Sequence, residues 1–517
     1  MKTFKYIMIG FVVLFLSACS KNYLTEDYRD GLDADAVEKL LKENPDAVVN
    51  SYVNGIYSYM VKAYSYDNTS HDIFTFASIL HVADMTGQDM VQSVSHYFTY
   101  DYEWDNRMAT YRRTRSHWST LYTMIAKANT IIDLFPEEPA VGQVVARAGL
   151  GQALAIRGLA YYYLIQLYQQ SETGNTAILD LPGVPLRFAK SETVENKEEL
   201  IGRNTVLRVH QQIESDLTRA VTLLKDYERP VKYYVDQSVA LGFLARYYLL
   251  VGEWQKASDA AASALDVAAK GTNQIDIMSS TLLHDGFMDI SNHEWMWGFD
   301  HTTETQTTYA SWFSHLSNIA PGYAGLGYAP RLIDRALYDQ ISSTDERKTL
   351  FNSDKGVPNS EGKFEKARDL PYANIKFGDK GDWTMDYVYM RAAEMVLIEA
   401  EAKAHMGDET GAAVVLGKLM AKRDPKWNKS SVTVDDVFLQ RRIELWGEGF
   451  NFFDFKRLNK VVDRTYEGSN HRIKIYAHHG DVPLDANNSL EKYSIHWTYQ
   501  IPITEINENP KITSNNP

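Results

Sequence analysis

The chain has 517 residues, 44% of them hydrophobic and 23% charged, with a formal net charge of −14. This composition supports a large globular core, and the acidic balance argues against a nucleic-acid or anionic-lipid binder, either of which relies on a basic patch. The single cysteine, Cys19, excludes an intramolecular disulfide and a thiolate metal cluster.

At the N-terminus, Lys2 and Lys5 precede an apolar run over residues 6–16. The run is too short to span a bilayer and reads as a secretory signal. Its end, Leu16-Ser17-Ala18-Cys19, resembles a bacterial lipobox. That predicts removal of residues 1–18 and acylation of Cys19 on sulfur and nitrogen; the alternative is an ordinary secreted chain with a cysteine there by chance. Each buried acyl methylene adds about 0.8 kcal/mol, so several chains tether a protein firmly. Residues 19–40 read as a tether and 41–517 as one folded unit.

Residues 64–113 form a long polar stretch rich in aromatics, followed by helices predicted from apolar three-and-four spacing over 116–135 and 147–170. A further helix covers 204–224. Residues 237–251 and 255–268 flank Gly252-Glu253-Trp254. There Leu244, Gly252, Ala257, Ala261 and Leu265 follow tetratricopeptide spacing, in which alanines let antiparallel helices approach closely. A second copy runs over 391–421. Ordinary helical hairpins with small residues at their contact are the alternative. The fold class is therefore mostly α: a tetratricopeptide-like scaffold over roughly 116–170, 204–268 and 385–446. Elaborated loop regions over 64–113 and 270–384 form a partly β, ligand-binding subdomain. A hairpin is expected around 471–477, where polar and apolar residues alternate.

Candidate chemistry is sparse. His293-Glu294 lacks the second histidine of a zinc-protease helix, and His478-His479 reads as solvated loop, so no metal or cofactor is assigned. Glu444 and Glu448 are spaced for one helix face, but Gly447 and Gly449 end the helix there. With Arg441, Arg442, Asp454 and Arg457 as expected partners, the pair reads as a structural ion network rather than a catalytic pair. The chain also holds 33 Tyr, 20 Phe and 10 Trp. Flat aromatic faces stack on sugar C–H faces, and the same rings suit peptides or a protein partner. The ligand-binding candidates are Tyr66, Asp84, Trp104, Trp297 and Trp312, with most other aromatics assigned to packing.

Several segments carry a family resemblance. Residues 153–168 (ALAIRGLAYYYLIQLY) followed by Gly183-Val184-Pro185-Leu186, residues 389–402 (YMRAAEMVLIEAEA) and residues 441–457 (RRIELWGEGFNFFDFKR) resemble blocks of the SusD/RagB outer-membrane nutrient-binding lipoproteins. The terminal stretch from Ile501 to Pro510 is similar as well. Gly447, Asn451 and Leu458 depart from the pattern, while Arg442, Glu444, Glu448, Asp454 and Arg457 keep it. The resemblance implies a SusD-like α/α superhelix and a non-catalytic lipoprotein held in the outer membrane through acylated Cys19. It also implies capture of an oligosaccharide or peptide for a SusC-like TonB-dependent barrel. A surface glycoside hydrolase and a helical-repeat scaffold or adhesin remain the rivals. Glu444 and Glu448 open to solvent would favour the first. Aromatics of 64–113 and 295–328 converging on one exposed depression would favour capture.

Overall fold

The computed structural model describes residues 34–63, 69–477 and 496–516. The chain divides into two compact units, Met1–Asn50 and Ser51–Pro517. Cys19, Tyr66 and the His478-His479 pair lie outside the described residues. In the first unit, α1 (Ala34–Glu43) carries a Lys39–Glu43 pair one turn apart. Helix α2 (Pro45–Met60) begins there and runs on into the second.

The second unit opens with α3 (Thr75–Thr86), whose twelve residues are all buried. Sequence patterning misses this helix because apolar periodicity needs a wet face to contrast with. Strand β1 (Met90–Gln92) follows, then α4 (Arg112–Asp133), α5 (Val144–Tyr168), α6 (Val206–Leu223), α7 (Gln237–Val251) and α8 (Trp254–Lys270). Two strands come next, β2 (Trp295–Phe299) and β3 (Arg331–Ile333). Strand β4 (Tyr387–Arg391) leads directly into α9 (Ala392–His405), followed by α10 (Glu409–Met420), α11 (Val434–Glu444) and α12 (Asn451–Arg457). The family-like stretch over 389–402 is thus a strand end and a helix rather than one helix.

Helices α4 to α10 stack in chain order, with α8 packed on α9 across the long insertion between them. This is the tetratricopeptide-like arrangement, and its local causes are visible. Thr205 and Asp236 accept backbone N–H groups as caps of α6 and α7. Gly252 ends α7 at φ +81°, a conformation that favours glycine. Ala257, Ala260, Ala261 and Ala264 make the buried face of α8. On α5, a Cβ at Gly158 would sit 2.9 Å from Leu217 of α6, so the absent side chain sets that crossing. Between α9 and α10, Val396, Leu397, Ala400, Ala412, Leu416 and Leu419 form an apolar core.

The strands are short antiparallel pairs. Strand β1 pairs with β3 in the register Gln92↔Arg331, and β2 pairs with β4. The β2 bulge lies at Trp297 and Gly298, where an added Cβ would meet the Tyr387 carbonyl at 2.5 Å. The hairpin expected around 471–477 is reduced to Tyr476–Ala477, and its partner is Val462–Asp463 rather than an adjacent strand. Within the second unit, β1 with β3 positions the candidate site.

Candidate functional site

Strand β1 exits into His96 and Tyr97, and β3 is entered from the turn-rich segment that carries Tyr323 and Tyr328. Pairing the two strands therefore brings rings from sequence positions more than 200 apart onto one surface. His71, just before α3, and Tyr309 complete the group. His71 stacks on Tyr309 at 5.8 Å and 4° and on Tyr97 at 5.7 Å. Tyr323 lies 5.5 Å from Tyr309 and 4.9 Å from His96, which lies 5.6 Å from Tyr328. Tyr309 and Tyr328 are 43% and 54% exposed, while the other four rings are half-buried.

The surface is held from beneath. His315 is buried and stacks under Tyr323 at 5.0 Å and 15°. Its Nε2 lies 2.8 Å from the His71 carbonyl, and the His71 Nδ1 lies 2.5 Å from the Tyr323 hydroxyl. Arg113 of α4 donates to the Asp72 carbonyl at 2.8 Å, to its carboxylate at 2.7 Å and to Asp101 at 2.9 Å. Arg112 adds a bond to Asp72 at 2.9 Å. Burial alone would raise the Asp72 carboxyl, but Arg113 and then Arg112 outweigh it and hold it below its ordinary range. Burial likewise keeps His315 neutral, near 3. The result is a preorganised field of aromatic faces edged with hydroxyl and imidazole groups, suited to a ring with one apolar face and polar substituents.

The structure corrects the ligand-binding choices made from sequence. Trp104 and Trp297 are 0% exposed and Trp312 is 1% exposed, leaving none of them a face to offer. Trp104 donates to the Thr86 carbonyl at 2.7 Å and packs edge-on against Trp497 at 4.9 Å. Trp297 donates to the Tyr233 carbonyl and packs on Phe243 and Tyr389. Trp312 packs against Tyr387. Asp84 is buried too, accepting from the backbone of Gly449 at 2.8 Å, and burial pushes its carboxyl up to about 8. The rings that the structure gathers, His71, His96, Tyr97, Tyr309, Tyr323 and Tyr328, were not among those choices. The available signal was local: Pro321, Gly322, Gly325, Gly327 and Pro330 surround Tyr323 and Tyr328, as turn-formers do on a surface loop.

The charges of the 441–457 block form buried ion networks, with partners other than those expected. Glu444 pairs with Arg391 at 3.1 Å, Arg423 at 2.9 Å and Arg347 at 3.2 Å. Glu448 pairs with Arg391 at 2.8 Å and Lys376 at 2.6 Å. Glu294 joins them through Arg391 and Arg423, and Asp345 balances Arg347. Burial raises both Glu444 and Glu448, but their cations outweigh it and hold them low. Arg441 and Arg457 bind Asp454 instead, Arg457 also binds Glu401, and Arg442 binds Asp89. Helix α11 ends at Glu444, and Gly447 and Gly449 at φ +80° and +90° turn the chain, so the two glutamates share no helix face. Neither is open to solvent, which removes the observation that would have favoured a hydrolase. Asn451, one departure from the family pattern, accepts the backbone N–H of Gln88 at 2.6 Å and occupies the space a side chain at Gly87 would need. Among the described residues no group of three or more His, Cys, Asp or Glu is arranged to hold a metal.

Comparison with known proteins covers nearly all of this architecture. A family profile described as "Starch-binding associating with outer membrane" matches residues 32–249, and one described as "SusD family" matches residues 305–517. The SusD-like protein P2 of Formosa agariphila is 23% identical over 496 residues, covering 89% of this chain and 91% of that protein. A SusD-like carbohydrate binding protein from Bacteroides vulgatus superposes with a TM-score of 0.72 at 25% identity, covering 90% of this chain and 97% of the other. A laminarin binding SusD-like protein shares the fold at a TM-score of 0.66 and 17% identity, over 91% and 99% of the two chains.

Proposed function

Because the chain belongs to the SusD/RagB family, we propose that it is a non-catalytic cell-surface lipoprotein that captures a glycan for a partner transporter. One observation carries the reading: six aromatic rings from two distant loop regions converge on one exposed surface, braced by an ion-paired, hydrogen-bonded support. Exposed Tyr309 and Tyr328 are the primary contact faces, and the His71 and His96 imidazoles and the Tyr323 hydroxyl supply hydrogen bonds to sugar hydroxyls. The binding of carbohydrate by relatives of the same fold supports this assignment.

Acylated Cys19 is the proposed anchor in the outer membrane, and a SusC-like TonB-dependent barrel is the proposed recipient. Among the described residues no helix is long and apolar enough to cross a membrane. A protein held by lipid beside its transporter meets it at a high local concentration, so modest affinity for each partner suffices and tight capture would oppose release. The test is calorimetry of the soluble form beginning at residue 22 against glycan and peptide libraries, with the Tyr309→Ala/Tyr328→Ala double variant alongside. The reading requires a glycan that binds the parent and loses affinity at least tenfold in the variant. A peptide as the sole ligand would replace the glycan assignment, and glycan binding indifferent to both substitutions would overturn the site.

A further inference from the structure

At the root of the aromatic surface lies a buried charge that no carboxylate among the described residues pairs. Arg331 is the first residue of β3, the strand that roots Tyr323 and Tyr328, and it is fully buried. Asn318 clamps its backbone, donating to the Arg331 carbonyl at 2.7 Å and accepting its N–H at 2.9 Å. Its guanidinium donates to the Ala329 carbonyl at 2.9 Å, its Nη2 lies 3.5 Å from His81 Nε2, and its Nε has no hydrogen-bond partner among the described residues.

Most other buried arginines in this molecule meet carboxylates, although Arg464 bonds only backbone carbonyls and Arg107 lies against aromatic rings. Beside the platform, Arg112 and Arg113 are balanced by Asp72 and Asp101. Among the described residues Arg331 forms no ion pair. Its neighbours are imidazoles that burial keeps neutral: His81 is held well below its ordinary value by burial and then by Arg331, and His315 by the same two causes in the same order. A buried cation without a counter-ion is costly to fold around, and such a group beside a binding surface is a candidate for function. Its field extends to the platform: half-buried His96 is held down by burial and then by Arg331. In this low-dielectric wall a fixed charge acts over longer distances than it would in water.

We infer that the platform selects an anionic sugar chain, one bearing carboxylate or sulfate groups, with Arg331 supplying the counter-charge from the root of the surface. The inference rests on the platform being the glycan site and adds the class of glycan. Arg331 is a positioning and field residue here, since it is covered and does not touch the ligand.

The experiment uses matched pairs of oligosaccharides, each neutral chain set against its C6-oxidised uronate form and its sulfated form. All are titrated calorimetrically into the soluble protein, its Tyr309→Ala/Tyr328→Ala variant and Arg331→Met, at low and at high salt. An acidic member binding about three- to tenfold more tightly than its neutral partner, with the gap closing as salt rises, is the expected result. The winning arm names carboxylate or sulfate. Arg331→Met should erase the gap while retaining binding to the neutral chain; if that variant does not fold, the paired affinities and their salt dependence in the parent decide. Neutral chains binding as well as acidic ones, yet lost in the tyrosine variant, would sink the anionic preference and leave the platform standing. Acidic binding that survives the tyrosine variant, or no binding by any pair, would remove the platform assignment and this inference with it.

Discussion

Exposure separates the aromatic residues into two jobs. Tyr309 and Tyr328 project into solvent, so truncating both removes stacking area while leaving the core untouched; stability should change by less than about 0.5 kcal/mol each as ligand affinity falls. Trp104 is the opposite case. Its indole fills a closed space between Trp497 and Phe452 and satisfies the Thr86 carbonyl. Trp104→Ala should therefore cost about 3–5 kcal/mol in urea unfolding, with the affinity of the remaining folded fraction unchanged. Asp84 makes a prediction in pH. Burial raises its folded-state value to about 8 from an ordinary 3.8, so over that window the folded protein holds a proton that the unfolded chain has released. Its contribution is full below the ordinary value and is lost as pH rises through the folded one. Asp84→Asn keeps an acceptor for the Gly449 N–H and carries no ionisable proton. The fall in melting temperature between about pH 6 and about pH 9 should be smaller in that variant than in the parent, and an equal fall would show that another group governs it.

At the level of elements, the ion network around Glu444 and Glu448 joins pieces that the chain leaves far apart. Arg391 at the end of β4 reaches Glu294 ahead of β2, Glu444 at the end of α11 and Glu448 beyond it. Arg423, after α10, reaches Glu294 and Glu444. Four cations and four carboxylates balance in this buried cluster once Lys376, Arg347 and Asp345 are included. Removing one member strands the others without compensation, so Arg391→Met should destabilise by about 3–5 kcal/mol in denaturant titration. A loss below about 1 kcal/mol would mean that water already screens the cluster. The depressed values of Glu444 and Glu448 have the opposite pH sign to Asp84: their stabilisation is present above the ordinary carboxylate range and disappears as acid protonates them. The helix stack is governed by a different term, close approach. Ala261→Leu, at a fully buried position in α8, should overpack the helix stack and cost about 1–3 kcal/mol.

For the whole molecule, the proposed function separates binding from location. The proposed ligand surface lies on loops rooted in β1 and β3, whereas the proposed anchor is Cys19, the residue that follows the predicted cleavage. Cys19→Ala should therefore shift the protein out of the membrane fraction in cell fractionation while the soluble product keeps its glycan affinity. Retention of Cys19→Ala in membranes would mean that something other than acyl chains holds it there. A scaffold of stacked helices suits this division, because repeat packing is local and tolerates long insertions on one side. The 270–384 region is such an insertion, entering between α8 and α9 while those helices still pack together.

The helical scaffold was legible in the amino-acid order because its signals are local: apolar spacing along α4 to α8 and Gly252 at a helix end. The charged block and the aromatic excess were legible as composition. Only the tertiary structure decided which carboxylate met which cation, since Arg391 and Glu294 are 97 positions apart and nothing nearby in the chain marks them as partners. It also decided that Trp104, Trp297 and Trp312 are buried while Tyr309 and Tyr328 face solvent. A residue's chemistry is written in its identity, but its exposure and its partners arise when distant segments pack, and here the pairing of β1 with β3 assembled the proposed site.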